Sequence, residues 1–194
     1  MQSLSSSFVL GYHGCDASIA KKLIDGETFK KSNNDYDWLG PGIYFWEANP
    51  RRGLDFAREY AHRKSGSIKT PTVVGAVVEL GHCLDLTTLA GIELVKTAYD
   101  SLVKVSKAAS LPLPANSEDL LRRNLDCAVI RRVHTILKEM GEAPVDSVRG
   151  VFTEGDAIYP GAGFYRKTHI QIAVCNPECI KGVFRVPPSQ LKIF

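Results

Sequence analysis

The segment that most restricts the fold is an apolar, β-branched run at residues 72–80, which reads Thr-Val-Val-Gly-Ala-Val-Val-Glu-Leu. β-Branched residues favour strands, and a run that is apolar at both odd and even positions predicts a strand buried on both faces. Such a strand requires other elements packed above and below its sheet. The chain is therefore expected to fold around a covered sheet.

The remaining segments predict an α+β domain. Further strands are predicted at residues 8–12, 43–46, 147–153, 169–175 and 179–186, and helices at residues 16–26, 49–63, 88–107 and 117–140. The second helix has the clearest start, because Asn49 can cap it and Pro50 suits its first turn. No repeat or linker divides the chain. We expect one domain over residues 1–194, with a helical insertion at about residues 88–140.

Composition indicates a globular protein and restricts its chemistry. The 194 residues are 44% hydrophobic and 23% charged, and no apolar stretch is long enough to span a bilayer. The first residues lack the pattern of a secretory signal, so we expect a cytoplasmic protein, or one delivered into a target cell's cytosol. The odd number of cysteines favours reduced, buried thiols without a metal site. A net charge of +3 is too small to indicate nucleic-acid binding by itself.

Two short glycine-containing segments are candidate ligand-binding motifs. In Tyr12-His13-Gly14, the glycine lets a ligand approach the backbone, whose N–H and C=O groups can both bond a flat carboxamide. At residues 40–45, Gly-Pro-Gly-Ile-Tyr-Phe, a tight turn fixes an aromatic ring at the start of a strand. The sequence patterns of P-loop, Rossmann, zinc-peptidase and serine-hydrolase sites are absent. A nucleotide site in this chain would be of another kind.

Together with the strand at residues 73–80, these segments resemble the core motifs of the poly-ADP-ribose-polymerase-like branch of the ADP-ribosyltransferase superfamily. In that branch a [WY]-H-G strand is followed along the chain by G-x-G-[IV]-Y-F, a helix and a hydrophobic strand. The resemblance implies a split, mixed β-sheet with a central NAD cleft and peripheral helices. It implies a mono-ADP-ribosyltransferase, a glycosyltransferase with NAD⁺ as co-substrate. A small member of this branch resembles a bacterial toxin or effector, for which an antitoxin or immunity partner is expected.

The resemblance also implies a set of donor-site residues. His13 resembles the histidine that hydrogen-bonds a hydroxyl of the adenosine ribose, and Gly14 would bind the nicotinamide carboxamide through its backbone. Tyr44 would stack on the nicotinamide ring, and Phe56 would close the other side of that ring. Gly53 lies where the family usually has a serine.

This sequence differs from the family at the third position of the family's His-Tyr-Glu triad. When residues 170–185 are laid over the family's last strands, Gln171 occupies the place of the catalytic glutamate. A carboxylate there would stabilise the cation-like transition state as nicotinamide leaves, as in glycoside hydrolysis. A glutamine can bond the ribose hydroxyls but supplies no charge and no general base, which favours single transfer over chain elongation. Glu154 is the alternative source of a carboxylate.

Two other functions remain open from the sequence. The absence of the usual glutamate suggests a catalytically weak NAD- or ADP-ribose-binding module. The same fold also serves an NAD-dependent RNA 2′-phosphotransferase, although no set of basic residues surrounds His13 or Tyr44 in the sequence. The acceptor of a transferase could be a protein or a nucleic acid.

Overall fold

In a computed structural model, the protein is an α+β fold built on one mixed sheet, as the sequence predicts. The structure describes residues 8–63, 66–119 and 121–192. The strands are β1 (Phe8–Asp16), β2 (Ile43–Glu47), β3 (Pro71–Glu79), β4 (Cys83–Asp85), β5 (Ser147–Phe152), β6 (His169–Val174) and β7 (Ile180–Arg185). The helices are α1 (Ala17–Ile24), α2 (Pro50–Ala61), α3 (Leu89–Ala108) and α4 (Asn124–Glu139).

Over the described residues, the sheet has seven strands in the order β4-β5-β6-β2-β1-β3-β7. Only β4 and β5 run parallel, and every other neighbouring pair is antiparallel. Strand β3 contains the apolar run of residues 72–80 and lies between β1 and β7. This position explains why the run is apolar at both odd and even positions.

The seam between β1 and β2 is the shortest antiparallel pairing in the sheet. It joins two residue pairs, Gly11 with Glu47 and Tyr12 with Trp46. On its other side, β1 pairs with β3 over all nine of its residues. The two strands therefore diverge beyond Tyr12, and the second half of β1 has no strand on its β2 side.

The sheet has two faces with different side chains, because successive residues of a strand point to opposite faces. One face carries Phe45 and Val74 and is packed by α1, and we call it the α1 face. The opposite face, called the α2 face, carries Tyr12 against α2 and Val148 against α3 and α4. Both faces are covered, as the sequence of β3 requires.

Local side-chain bonds explain where the helices begin. Asn49 accepts a hydrogen bond from the Arg52 N–H and Pro50 fills the first turn, so the predicted start of α2 is confirmed. Asp16 caps α1 through the Ser18 N–H, and Thr88 caps α3 through the Gly91 N–H. Each cap satisfies a donor that the first helical turn leaves unpaired.

Two predicted boundaries are wrong for identifiable reasons. Helix α4 begins at Asn124 rather than at residue 117. The Asn116 side chain, in the loop before the helix, accepts hydrogen bonds from the backbone N–H groups of Leu125 and Asp126 in the first helical turn. These bonds fix the start of the helix after the loop. Within that loop, Ser117 bonds Asp119, which favours a turn over a helix. Strand β1 also continues past residue 12 to Asp16. Strand β4 was not predicted, because three residues are too short for a periodic pattern.

Candidate functional site

A candidate binding site is an open cavity of about 530 Å³ beside the half of β1 that has no strand on its β2 side. This volume lies within the usual range for small-molecule sites. The cavity is bounded by β1, the start of α1, the middle of α2 and the loop before β3. Its lining residues are His13, Gly14, Cys15, Asp16, Ser18, Ile19, Lys30, Phe56, Tyr60, Ser67, Ile68 and Lys69.

The His13 side chain lies between β1 and β2, at the point where the two strands separate. Its Nδ1 lies 2.9 Å from the backbone oxygen of Tyr44. A carbonyl oxygen only accepts hydrogen bonds, so Nδ1 must carry the proton and donate it. Burial lowers the pKa of His13 below its ordinary value of 6.5, although the bond to Tyr44 opposes this. At neutral pH the ring is therefore uncharged, and Nε2 is an acceptor that has no protein partner in the described part of the chain.

Aromatic rings form one wall of the cavity. Phe56 and Tyr60 are four residues apart on α2, so they share a helix face, and their ring centroids are 5.9 Å apart. Trp46 supports Phe56 from below, with a centroid distance of 4.8 Å. The wall is therefore an apolar, aromatic surface on one face of α2, whose two rings are inclined at 35° to each other.

The backbones of β1 and α2 meet at two glycines. A Cβ atom on Gly14 would collide with the backbone carbonyl of Gly53. Both glycines are buried. Their lack of side chains lets α2 lie close against β1, and this places Phe56 over the end of the strand.

Charged groups surround the mouth of the cavity. Lys30 and Lys69 line it, and neither ammonium has a carboxylate partner among the described residues. Asp16 also lines it, but its carboxylate accepts bonds from the Thr70 and Lys69 N–H groups and from the Ser18 N–H and hydroxyl. These bonds, led by that from Thr70, hold the pKa of Asp16 far below its ordinary value. Two cations of the cavity are therefore available to a ligand, whereas the Asp16 carboxylate already accepts hydrogen bonds from the protein on both oxygens.

Tyr44 lies on the α2 face, away from the cavity-lining residues. Its hydroxyl donates to the Gly40 carbonyl at 2.8 Å and accepts from the Leu39 N–H at 3.1 Å. Its ring packs against the core formed with α3 and α4. Burial raises the pKa of Tyr44 well above 10, so its hydroxyl keeps its proton. The structure brings the backbone oxygen of Tyr44 to His13, but not its ring.

Gln171 lies on the same α2 face, opposite Trp46 in the register of β2 and β6. Its Oε1 accepts a 2.7 Å hydrogen bond from the Trp38 indole N–H. The amide oxygen is therefore engaged, whereas the amide N–H₂ group has no partner among the described residues. Gln171 does not line the cavity, and its register partner Trp46 contacts the cavity-lining Phe56.

Glu154 belongs to an ion-pair network at the start of α2. Its carboxylate accepts from Arg52 Nη2 at 2.8 Å and lies 3.6 Å from the Lys167 ammonium. Lys167 and Arg52 also contact Glu59, at 3.0 and 3.7 Å. The Arg52 side chain is only 10% exposed and lies over the Trp46 ring. Both oxygens of Glu154 are thus held by cations.

A second, smaller pocket of about 150 Å³ adjoins this network. It lies between α2 and the segment before β6. Its lining residues are Asn49, Arg51, Arg52, Asp55, Glu59, Arg166, Lys167 and Thr168.

The thiols and the metal-binding side chains give no further site. All five cysteines are free, and Cys15, Cys127 and Cys179 are buried. Burial raises the pKa of the Cys15 thiol to about 11, as it does for Cys175, so both are protonated and unreactive at neutral pH. The described residues contain no group of three or more metal-ligating side chains. No described helix is long and apolar enough to cross a membrane.

The structure therefore brings together part of the set of residues singled out in the sequence. His13, Gly14 and Phe56 line one cavity, and Gly53 contacts Gly14 behind it. Tyr44, Gln171 and Glu154 are outside the lining. Sequence reasoning missed Tyr60 and Lys69. Helical spacing from Phe56 was a signal for Tyr60, whereas nothing in the sequence placed Lys69 beside β1.

Comparisons with known proteins assign no family. The chain is similar to an uncharacterized protein of Methanocaldococcus jannaschii, with 27% identity over 189 residues that cover 88% of this chain and 83% of that protein. No protein-family model matches the chain. No solved structure gives a significant match.

Proposed function

We propose that this protein is a mono-ADP-ribosyltransferase that binds NAD⁺ in the cavity at the end of β1. The observation that carries the proposal is the position of His13 at the divergence of β1 and β2. There, an uncharged imidazole is held by the Tyr44 carbonyl and lines the cavity. This geometry agrees with the sequence resemblance, in which a histidine at this position bonds a ribose hydroxyl.

The cavity supplies a partner for each part of NAD⁺. The unprotonated Nε2 of His13 accepts a hydrogen bond from a ribose hydroxyl. The wall of Phe56 and Tyr60 stacks on a planar base or nicotinamide ring. Lys30 and Lys69 bind the diphosphate, since neither has a competing carboxylate in the described structure. In this assignment Tyr44 acts through its backbone carbonyl, which holds His13, and its ring packs in the core formed with α3 and α4.

The reaction breaks the bond between nicotinamide and the ribose C1′ carbon. The bonding electrons leave with nicotinamide, the sugar becomes cation-like, and an acceptor nucleophile attacks C1′ and loses its proton to water. The proposal assigns the third position to Gln171, because its amide N–H₂ group is free whereas both oxygens of Glu154 are bound by cations. Gln171 lies outside the cavity lining, so this assignment requires NAD⁺ binding to open a path between Gln171 and the cavity. A neutral amide orients the ribose without deprotonating an acceptor, which is consistent with single transfer.

NAD⁺ binding is the first test. A ligand that binds only the native state raises the melting temperature by mass action, so millimolar NAD⁺ should stabilise the protein. Phe56→Ala should reduce this effect, because stacking contributes about 1–3 kcal/mol. Phe8→Ala is the matched control, since Phe8 is an exposed aromatic outside the cavity. A melting temperature that does not respond to NAD⁺ would contradict the proposal.

Transfer is the second test. The protein is incubated with NAD⁺ labelled in its adenylate part and with a cell lysate. We expect release of nicotinamide and label on a discrete acceptor. Protease and nuclease treatment then identifies the class of that acceptor.

One observation favours a second candidate, a non-catalytic NAD- or ADP-ribose-binding module. Asp16 is the one carboxylate among the described cavity-lining residues, and all its bonds go to the protein. No carboxylate is therefore available to stabilise a developing sugar cation. NAD⁺ binding with neither nicotinamide release nor transfer would establish this alternative.

A further inference from the structure

The segment between β5 and β6 is an ordered hairpin. The Arg166 N–H donates to the Asp156 carbonyl, and the Ile158 N–H donates to the Phe164 carbonyl. At its tip, the Ala162 N–H donates to the Tyr159 carbonyl, and residues 159–162 read Tyr-Pro-Gly-Ala with Gly161 at φ +78°. Proline followed by a glycine of positive φ is the pattern of a type II turn. The hairpin therefore has a defined shape.

This hairpin exposes an unusual number of large apolar side chains. Phe164 is 64% exposed, Tyr159 54%, Ile158 46% and Tyr165 41%. Three of the four are aromatic. Exposing them costs solubility, and such groups typically mark a binding surface. Their ordered backbone means that little conformational entropy is lost when they bind a partner.

Two cationic residues directly follow the aromatic residues of the hairpin in the chain. Arg166 and Lys167 directly follow Tyr165 in the chain and line the small pocket at the start of α2, together with Arg51 and Arg52. Arg51, Arg52 and Lys167 are paired with carboxylates, but Arg166 has none among the described residues. Over the hairpin and this pocket, the four cations are matched in number by Asp55, Glu59, Glu154 and Asp156, so the net charge is zero and Arg166 is the cation that has no carboxylate partner in the described structure.

Exposed aromatic side chains, followed in the chain by a guanidinium that has no carboxylate partner in the described structure, fit a ligand that alternates flat bases with phosphates. Proteins that bind single-stranded nucleic acids combine these two elements, because rings stack on bases and cations contact the backbone. A duplex already stacks its bases on each other and leaves none for these rings. We propose that the hairpin of residues 153–168 and the adjoining pocket bind single-stranded nucleic acid. If the proposed transferase function holds, that strand is the acceptor.

Binding is tested without NAD⁺. Fluorescence anisotropy is measured with a labelled single strand and with the corresponding duplex. The strand has about 16 nucleotides, which is the upper end of the site sizes of single-strand-binding domains. We expect the single strand to bind at least tenfold more tightly than the duplex. Phe164→Ala should weaken single-strand binding about tenfold, a loss on the scale of one stacked base. Arg166→Gln should weaken binding and lower its salt dependence by about one ion.

The control is Leu111→Ala, because Leu111 is as exposed as Phe164, at 64%, but lies in the connection between α3 and α4. It should leave binding unchanged, and thermal melting should show that all three variants stay folded. Equal affinity for single strand and duplex, or an unchanged affinity of Phe164→Ala, would overturn the proposal.

Transfer from labelled NAD⁺ to the same oligonucleotide separates the two proposals. Transfer that Phe164→Ala impairs supports both. Binding without transfer to any acceptor supports the nucleic-acid surface and counts against the transferase. Protease-sensitive label in a lysate, with no oligonucleotide binding, supports the transferase and overturns the nucleic-acid surface.

Discussion

His13 and Tyr44 are linked across the seam of the sheet by a 2.9 Å hydrogen bond from the imidazole Nδ1 to a backbone oxygen. The bond occurs where the ladder between β1 and β2 has stopped, so a side chain replaces a backbone donor. It also fixes the tautomer of His13 and leaves Nε2 as the nitrogen available to a ligand. His13 therefore stabilises the fold through Nδ1 and is available to a ligand through Nε2, and substitutions can separate these two roles.

His13→Asn and His13→Gln should have opposite effects. Asparagine places an amide N–H close to the position of Nδ1, so it should keep most of the stability and lose NAD⁺ binding. Glutamine reaches the position of Nε2 but loses the bond to Tyr44, so it should lower the free energy of unfolding by about 0.5–1.5 kcal/mol. Urea denaturation and NAD⁺ titration measure the two effects. Equal NAD⁺ affinity of His13→Asn and the unchanged protein would exclude Nε2 as a ligand-binding atom.

Acid should destabilise the protein below about pH 6.5. Burial lowers the pKa values of His13, His134 and His169, so the unfolded chain binds more protons than the native one. The resulting stability is complete above the unfolded pKa and is lost as pH falls below it. Urea denaturation between pH 7.5 and 5 should show the decrease. His134→Gln should reduce this slope.

Gly14→Ala should destabilise the fold because its methyl group would collide with the Gly53 carbonyl. Backbone atoms cannot move aside as a flexible side chain can, so we expect a loss of about 1–3 kcal/mol. Gly182→Ala is the control, since nothing lies within 4 Å of a Cβ at that position. Thermal and urea denaturation measure both variants. A stable Gly14→Ala protein would show that α2 is not held against β1 as described.

Tyr44→Phe should lower stability and leave NAD⁺ affinity unchanged. Removing the hydroxyl leaves the buried Leu39 N–H and Gly40 carbonyl without their partner, at a cost of about 1–3 kcal/mol. Tyr165→Phe, at an exposed hydroxyl, should change stability by less than about 0.5 kcal/mol. The measurements are urea denaturation and NAD⁺ titration. A large fall in NAD⁺ affinity at constant stability would return Tyr44 to the donor site.

Gln171→Glu should retain or raise the rate of nicotinamide release, because it places a carboxylate in the family's third position with little change in volume. Gln171→Ala should slow release by about 10²–10³-fold, the scale for one group that bonds the transition state. Release is measured per folded molecule, since substitutions here can also change stability.

Glu154→Gln provides the contrast. It removes one partner of the nearly buried Arg52, so it should lower the melting temperature while leaving release per folded molecule unchanged. If Glu154→Gln abolishes release and Gln171→Ala is tolerated, Glu154 holds the third position instead.

Periodicity and capping made much of the fold predictable. The two-sided apolar run of β3 and the Asn49-Pro50 start of α2 depend on neighbours in sequence, and both were predicted. The start of α4 was not, because it depends on the Asn116 side chain, which reaches back from the preceding loop.

The candidate site was less predictable, because it depends on register. His13 and Tyr44 were expected to share a cleft through their side chains. Pairing of Tyr12 with Trp46 instead places the Tyr44 ring on the α2 face, and that of His13 on the other. A shift of one residue in this pairing would reverse the result, and no local pattern specifies it.

The order of strands determines when the sheet can form during synthesis on the ribosome. Strand β2 pairs with β6, and β3 pairs with β7, so the early strands on both sides of the seam have partners from the last part of the chain. A nascent chain that ends after α4 contains β1–β4 and lacks β5, β6 and β7. Contacts of such long sequence separation slow folding. Neither half of the sheet can close until the ribosome has synthesised β6 and β7, and β2 and β3 each keep an open edge until then.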